Sequence, residues 1–189
     1  MSIYDMSYRT KTYLAGDWDG DKDLVEQLHN WNDDERLALN FTDVHDLTSS
    51  SDDSNNCSIK RSLRQRLNLC KTFILIVGRK TKDLKSGSCA LCQNYSKGLY
   101  GILPYCKNSS YNNIDYRSFV DYECEMALKD YKEGKIKNIV IIYNGLLNVD
   151  KSRCPDCLKN VGVHIASDKM GTDGKRYWNY QVIKNQICK

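Results

Sequence analysis

The run Thr72-Phe-Ile-Leu-Ile-Val-Gly78 carries no charged side chain, and it constrains the fold more than any other stretch of the chain. A strand that is apolar on both sides needs cover on both faces, which is the position of a central strand in a parallel sheet sandwiched by helices. A second run, Ile136-Lys-Asn-Ile-Val-Ile-Ile-Tyr143, is apolar from Ile139 onward and reads the same way.

The segments around these runs fit that arrangement. Lys11-Thr-Tyr-Leu-Ala-Gly16 is a short strand that ends on glycine and opens into the loop Asp17-Trp-Asp-Gly-Asp-Lys-Asp23. Leu24, Val25, Leu28 and Trp31 then recur at helical spacing, with Asp21 or Asp23 available to cap the first turn. Leu37-Ala-Leu-Asn-Phe-Thr42 alternates as a second strand. In residues 58–71, Ile59, Leu63, Leu67 and Cys70 form one stripe, and Lys60, Arg61, Arg64 and Gln65 fall on a face expected to be solvated. A helix is predicted over residues 115–133, a last strand over 161–166 and a helix over 177–187. Such alternation implies right-handed crossovers and an open parallel α/β sheet with helices on both faces. Ligands bind beyond the carboxyl ends of the strands in sheets of this kind, so the loops beginning at Asp17, Asp43 and Gly78 are the candidate edge.

With 189 residues, 41% of them hydrophobic, the chain has material for one core. We expect a single domain over residues 1–189, with an extension at 1–10, a cysteine-containing insertion at 81–114 and a C-terminal loop and helix at 167–189. A net charge of +4 is too small for a strong nucleic-acid footprint. No run approaches the roughly 20 apolar residues that span a bilayer, and the N-terminus lacks a signal-peptide core; we therefore expect a cytoplasmic protein without a membrane partner.

Nine cysteines, an odd number, argue for thiols or metal ligation over a disulfide framework. Cys89-x-x-Cys92 and Cys154-x-x-Cys157 are knuckle-like pairs, and Cys106 lies in the same insertion as the first. A structural zinc ion held by Cys89, Cys92, Cys157 and either Cys106 or Cys154 would staple the insertion; free thiols are the alternative. The alternating Asp17, Asp19, Asp21 and Asp23 do not make an EF-hand, because glycine and glutamate are absent where that calcium loop needs them.

On the helix predicted over 115–133, Phe119, Val120, Cys124, Met126, Ala127 and Tyr131 share one arc, and Glu123 lies inside it. A carboxylate on an apolar face is expensive to ionise unless paired or partly solvated, so Glu123 is either functional or an arc-edge residue reaching a basic neighbour. Asp43, His45 and Asp46 follow the second strand and would either contact ribose or shape a turn. Ala15, Gly16, Asp17 and Trp18 would form the other wall, with the indole stacked on a base or packed in the core.

The ordered combination of Lys11-Thr-Tyr-Leu-Ala with Asp19-Gly-Asp21, Asn40-Phe-Thr-Asp-Val-His-Asp46, Ile59-Lys-Arg-Ser-Leu-Arg-Gln-Arg-Leu67, Phe119-Val-Asp-Tyr-Glu-Cys-Glu125 and Arg153-Cys-Pro155 resembles the TIR-like family, in its Thoeris-type antiphage branch. The resemblance implies a flavodoxin-like/TIR-like fold and places the glutamate of the family's NAD-cleaving members at Glu123. Phe119 stands where the family commonly has tryptophan, and Asp121-Tyr122 where a basic and an aromatic residue are usual. It further implies NAD+ as substrate, a hydrolysed or cyclic ADP-ribose product, a homo-oligomer and a separate effector protein that senses the product. A catalytically silent interaction module on the same fold is the rival reading, and a zinc-stapled nucleic-acid binder a third.

Overall fold

The computed structural model describes residues 9–37, 39, 41–43, 55–98, 104–107 and 114–188. Its frame is a parallel sheet of β1 (Lys11–Ala15), β2 (Cys70–Val77), β5 (Asn138–Tyr143) and β6 (Val163–Ala166), hydrogen-bonded in the order β1-β2-β5-β6. The helices are α1 (Lys22–Asp33), α2 (Asn56–Leu67), α3 (Phe119–Lys132) and α4 (Tyr180–Ile187). Two small antiparallel pairs complete the assignment: β3 (Tyr95–Ser96) with β4 (Tyr105–Cys106), and β7 (Asp168–Met170) with β8 (Arg176–Trp178).

The apolar runs pack as their composition requires. Tyr13, Phe73 and Ile139 stand in register across the sheet and pack with Leu67 of α2 and Val120, Cys124 and Ala127 of α3. Their neighbours Leu14, Ile74 and Val140 point to the other face and pack with Leu24, Val25 and Leu28 of α1 and Ile183 of α4. Each buried aliphatic side chain of this kind contributes about 1.5–3 kcal/mol, so β2, covered on both faces, anchors the fold.

Several expectations shift. Cys70 opens β2 instead of closing the preceding helix, which ends at Leu67. The predicted second strand is reduced, among the described residues, to a parallel bridge between Thr12 and Asp43 and a bond from Thr12 N–H to the Thr42 carbonyl at 2.9 Å. Asp21 precedes α1 but makes no side-chain cap bond. The face of α2 expected to be solvated is so only in part: Arg61 and Gln65 are exposed, but Lys60 is 5% exposed, donates to the Arg117 carbonyl at 2.8 Å and pairs with Asp115 at 3.2 Å. This lysine ties the segment before α3 to α2, and Asn56 Nδ2, donating to the Ser88 carbonyl at 2.9 Å, ties the insertion to it.

Candidate functional site

Ser118 starts α3 by accepting a hydrogen bond from the Asp121 N–H at 3.0 Å, and that start fixes the rotation of the helix. Glu123, one turn in, consequently faces the sheet with Val120 and Cys124, whereas Glu125 faces outward and pairs with Arg117 at 2.7 Å. Glu123 is 7% exposed. Its Oε1 accepts the Tyr13 hydroxyl at 2.5 Å, so a phenol from the middle of β1 meets the carboxylate from beneath.

This pair lies beside a cleft of about 290 Å3. One wall is Gly16, Asp17, Trp18 and Asp19 after β1, the second is Ile59, Leu63 and Arg66 of α2, and the third is Phe119, Val120 and Glu123 of α3 with Leu84 and Ser86 after β2. Gly87, at φ +96°, admits the Phe119 ring: a Cβ there would come within 2.5 Å of it. Gly16 is held close to β2, where a Cβ would meet Ile76 at 3.1 Å. Trp18 is 40% exposed, which puts its indole at the mouth and not in the core.

Burial, then the adjoining Glu123 charge, pushes the Tyr13 phenol well above its ordinary pKa, with Arg66 acting in the opposite direction. The tyrosine is therefore a fixed hydrogen-bond donor at neutral pH. Arg66 is 8% exposed and lines the same cleft, so the site combines a carboxylate, a phenol and a guanidinium around a largely apolar floor. Such a set can stabilise a developing cation through Glu123 and hold an anionic or hydroxyl-rich ligand through Arg66.

Of the residues singled out in the sequence, Gly16, Asp17, Trp18, Phe119 and Glu123 come together. Ala15 does not join them; it is buried in the core at the end of β1. Asp43 is also displaced: it bridges to Thr12 near the start of β1 and pairs with His29 of α1 at 3.5 Å, because the chain reaches it beside the wrong end of that strand. His45 and Asp46 lie outside the described residues. Tyr13 and Arg66 were not anticipated as site residues. The available signal was a phenol inside a core strand, whose hydroxyl needs a partner when buried.

The cysteines expected to share one zinc ion are divided. Burial, with the Cys89 and Cys106 thiols beside it, raises Cys57 to about 11, so these two cysteines of the insertion lie beside α2. Burial, then contact with Cys157, raises Cys124 well above its ordinary value, and Cys154 neighbours the same pair, so the second knuckle belongs to α3. Among the described residues, no group of three or more histidine, cysteine, aspartate or glutamate side chains is placed to hold a metal ion. A wider cleft of about 940 Å3 on the far side of α2 is lined by Lys60, Arg61, Arg64 and Arg117. Three of these cations are already paired, with Asp115, Asp130 and Glu125. Among the described residues, no helix is long and apolar enough to cross a membrane.

No curated protein matches the chain. Residues 6–86 match the family described as Thoeris protein ThsB, TIR-like domain. The matched span carries β1, α1, α2, β2 and the site residues Tyr13, Gly16, Asp17, Trp18 and Arg66, and it stops before Phe119 and Glu123. Over these residues the chain is similar to the TIR-like family of Thoeris type, and its open parallel α/β sheet agrees with that likeness.

Proposed function

We propose that this chain cleaves NAD+ at the bond between nicotinamide and ribose and releases an ADP-ribose-type signal, hydrolysed or cyclic, that serves antiphage defence. The observation that carries the reading is Glu123: an acidic side chain only 7% exposed, bonded by Tyr13 and lining a cleft with Arg66, Trp18 and Phe119.

The nicotinamide of NAD+ is a cationic leaving group and departs neutral, so no general acid is required. Breaking the bond leaves positive charge on the ribosyl carbon and ring oxygen. The Glu123 carboxylate, next to that centre, stabilises the charge and orients the ribose hydroxyls, while Tyr13 fixes the carboxylate by donating to Oε1. The indole of Trp18 and the ring of Phe119 offer apolar faces to the departing ring. Water then captures the ribosyl centre, or, where water is kept out, an internal nucleophile of the same molecule closes a ring.

Ligand clefts commonly enclose about 300–1,000 Å3, and the Glu123 cleft, at about 290 Å3, suits the nicotinamide ribose half of the substrate. The remaining half extends over neighbouring surface or onto a second copy of the chain, which is why we expect a homo-oligomer to be the active form. The rival reading, a silent interaction module, draws on the same size and on the prior engagement of Glu123 by Tyr13.

Chromatography and mass spectrometry of NAD+ incubated with the purified chain separate the two. The expected result is nicotinamide with an ADP-ribose-type product from the wild type, and about 10²-fold less or lower from Glu123→Gln. Equal traces from both proteins, also when prepared from phage-infected cells, would leave the interaction module standing.

A further inference from the structure

A second cleft, of about 640 Å3, opens over the C-terminal ends of β1, β2 and β5 and adjoins the first, since Asp17 and Asp19 line both. Its floor is Asp21, which is 2% exposed. An aspartate just before a helix ordinarily accepts from the first-turn N–H groups, yet Asp21 makes no such bond. Its carboxylate turns toward β2 and β5 instead. Gly78 makes the room, because a Cβ there would lie 2.2 Å from Asp21 Oδ1.

Asn144, immediately after β5, donates from Nδ2 to Asp21 Oδ1 at 3.0 Å and to Asp23 Oδ1 at 2.8 Å. This arrangement leaves two oxygens over. Asp21 Oδ2 and Asn144 Oδ1 are both buried and have no hydrogen-bond partner. A buried acceptor left unsatisfied costs about 1–3 kcal/mol, more when charged, and two in one corner call for a shared positive partner. Of the basic side chains in the cleft lining, Arg153 is already engaged with Asp150 at 3.1 Å.

We propose that Asp21 Oδ2, Asn144 Oδ1 and the Asp23 carboxylate hold a hydrated divalent cation. All three donors are hard oxygens, which select Mg2+, Mn2+ or Ca2+ over zinc. Two carboxylates and one amide oxygen leave positions for water on the open side of the cleft, the coordination Mg2+ favours over a complete protein cage. Burial, with the charges of Asp17 and Asp23 adding to it against the Asn144 hydrogen bond, raises the Asp21 pKa, and a bound cation would relieve the cost of ionising it.

The test is a Mn2+ titration of the EDTA-treated full chain, read by the loss of the free Mn2+ paramagnetic resonance signal. One saturable site per chain is expected, with a Kd of about 10⁻⁴ M and displacement by Mg2+. Asp21→Asn keeps the side-chain shape and should weaken binding by about tenfold or more, whereas Arg79→Gln on the same cleft should change it less than about twofold. If Asp21→Asn does not fold, Asn144→Ala reads the same site. Absence of saturable Mn2+ binding below about 5 mM, or equal binding by wild type and Asp21→Asn, overturns the proposal and leaves Asp21 as a neutral, protonated side chain.

Discussion

Tyr13 is the residue on which the geometry of Glu123 turns. Its hydroxyl holds one carboxylate oxygen at 2.5 Å, so we class it as a positioning residue. Tyr13→Phe keeps the ring, its stack on Phe73 at 5.7 Å and the core volume. The expected outcome is a kcat about 10–10²-fold lower with KM changed little, because the lost hydrogen bond fixes the group that meets the transition state. A proportional rise in KM at constant kcat would assign Tyr13 to substrate binding instead. The burial of Glu123 was legible in the sequence, because helical periodicity puts it inside an apolar arc; its choice as a site residue came from the family resemblance. Tyr13 was not, since alternation in a strand tells which side chains face inward but not which helix residue each one meets. Asp43 illustrates the opposite error: its place in a loop after a strand-like run was clear, but the run's register against β1 was not, and register decides which end of the sheet a loop reaches.

At the scale of elements, α2 and α3 are locked together by charge as well as by apolar contact. Asp130 of α3 is fully buried and accepts from Arg64 of α2 at 2.9 Å and from Arg9 at 2.8 Å. Removing one member of a buried pair strands the other, at a cost of about 3–5 kcal/mol. Asp130→Ala should therefore lower the unfolding free energy from a urea titration strongly, whereas Glu26→Ala, which breaks an exposed pair with Lys22, should lower it by less than about 1 kcal/mol. The pH dependence follows from the same interactions. Partial burial would raise the Asp115 carboxyl, but hydrogen bonds from Arg117 and Lys60 outweigh it and hold it at about 2. The Asp130 carboxyl is lowered in the same sense: burial opposes, and Arg64 and Arg9 prevail. A depressed carboxylate stabilises the fold fully above its unfolded value near 3.8 and loses that contribution as pH falls toward 2. Urea midpoints should be flat with respect to these groups from pH 7 to about 5 and fall below about pH 4, with a shallower acid limb in Asp115→Asn. Helical spacing located α2 and its apolar stripe. It could not show that Lys60, Arg64 and Arg66 are turned inward, because basic residues read as solvated until their acidic partners, distant in sequence, are known.

Across the whole molecule, the loops after β1, β2 and β5 gather both clefts at one edge of the sheet, and the alternation of apolar runs with helical stripes was enough to point to that edge. The cysteine arrangement was not readable, because spacing reveals pairs such as Cys89 with Cys92 but not which helix they approach; Cys57 of α2 is the neighbour of Cys89, and Cys124 of α3 that of Cys157. If a second copy completes the Glu123 cleft, specific activity should rise with protein concentration and fall on dilution below the self-association constant measured by analytical ultracentrifugation. Activity per chain that stays constant across that range would assign the complete site to one copy.

The central claim concerns where one carboxylate sits relative to one carbon atom, and a crystal structure with an uncleavable NAD+ analogue tests it most directly. In such an analogue a methylene replaces the ring oxygen of the nicotinamide ribose, so the bound state persists. We expect the C1′ atom of that sugar within about 4 Å of a Glu123 carboxylate oxygen, with the nicotinamide against Phe119 and Trp18. An analogue bound elsewhere, with Glu123 still closed against Tyr13, would contradict the account.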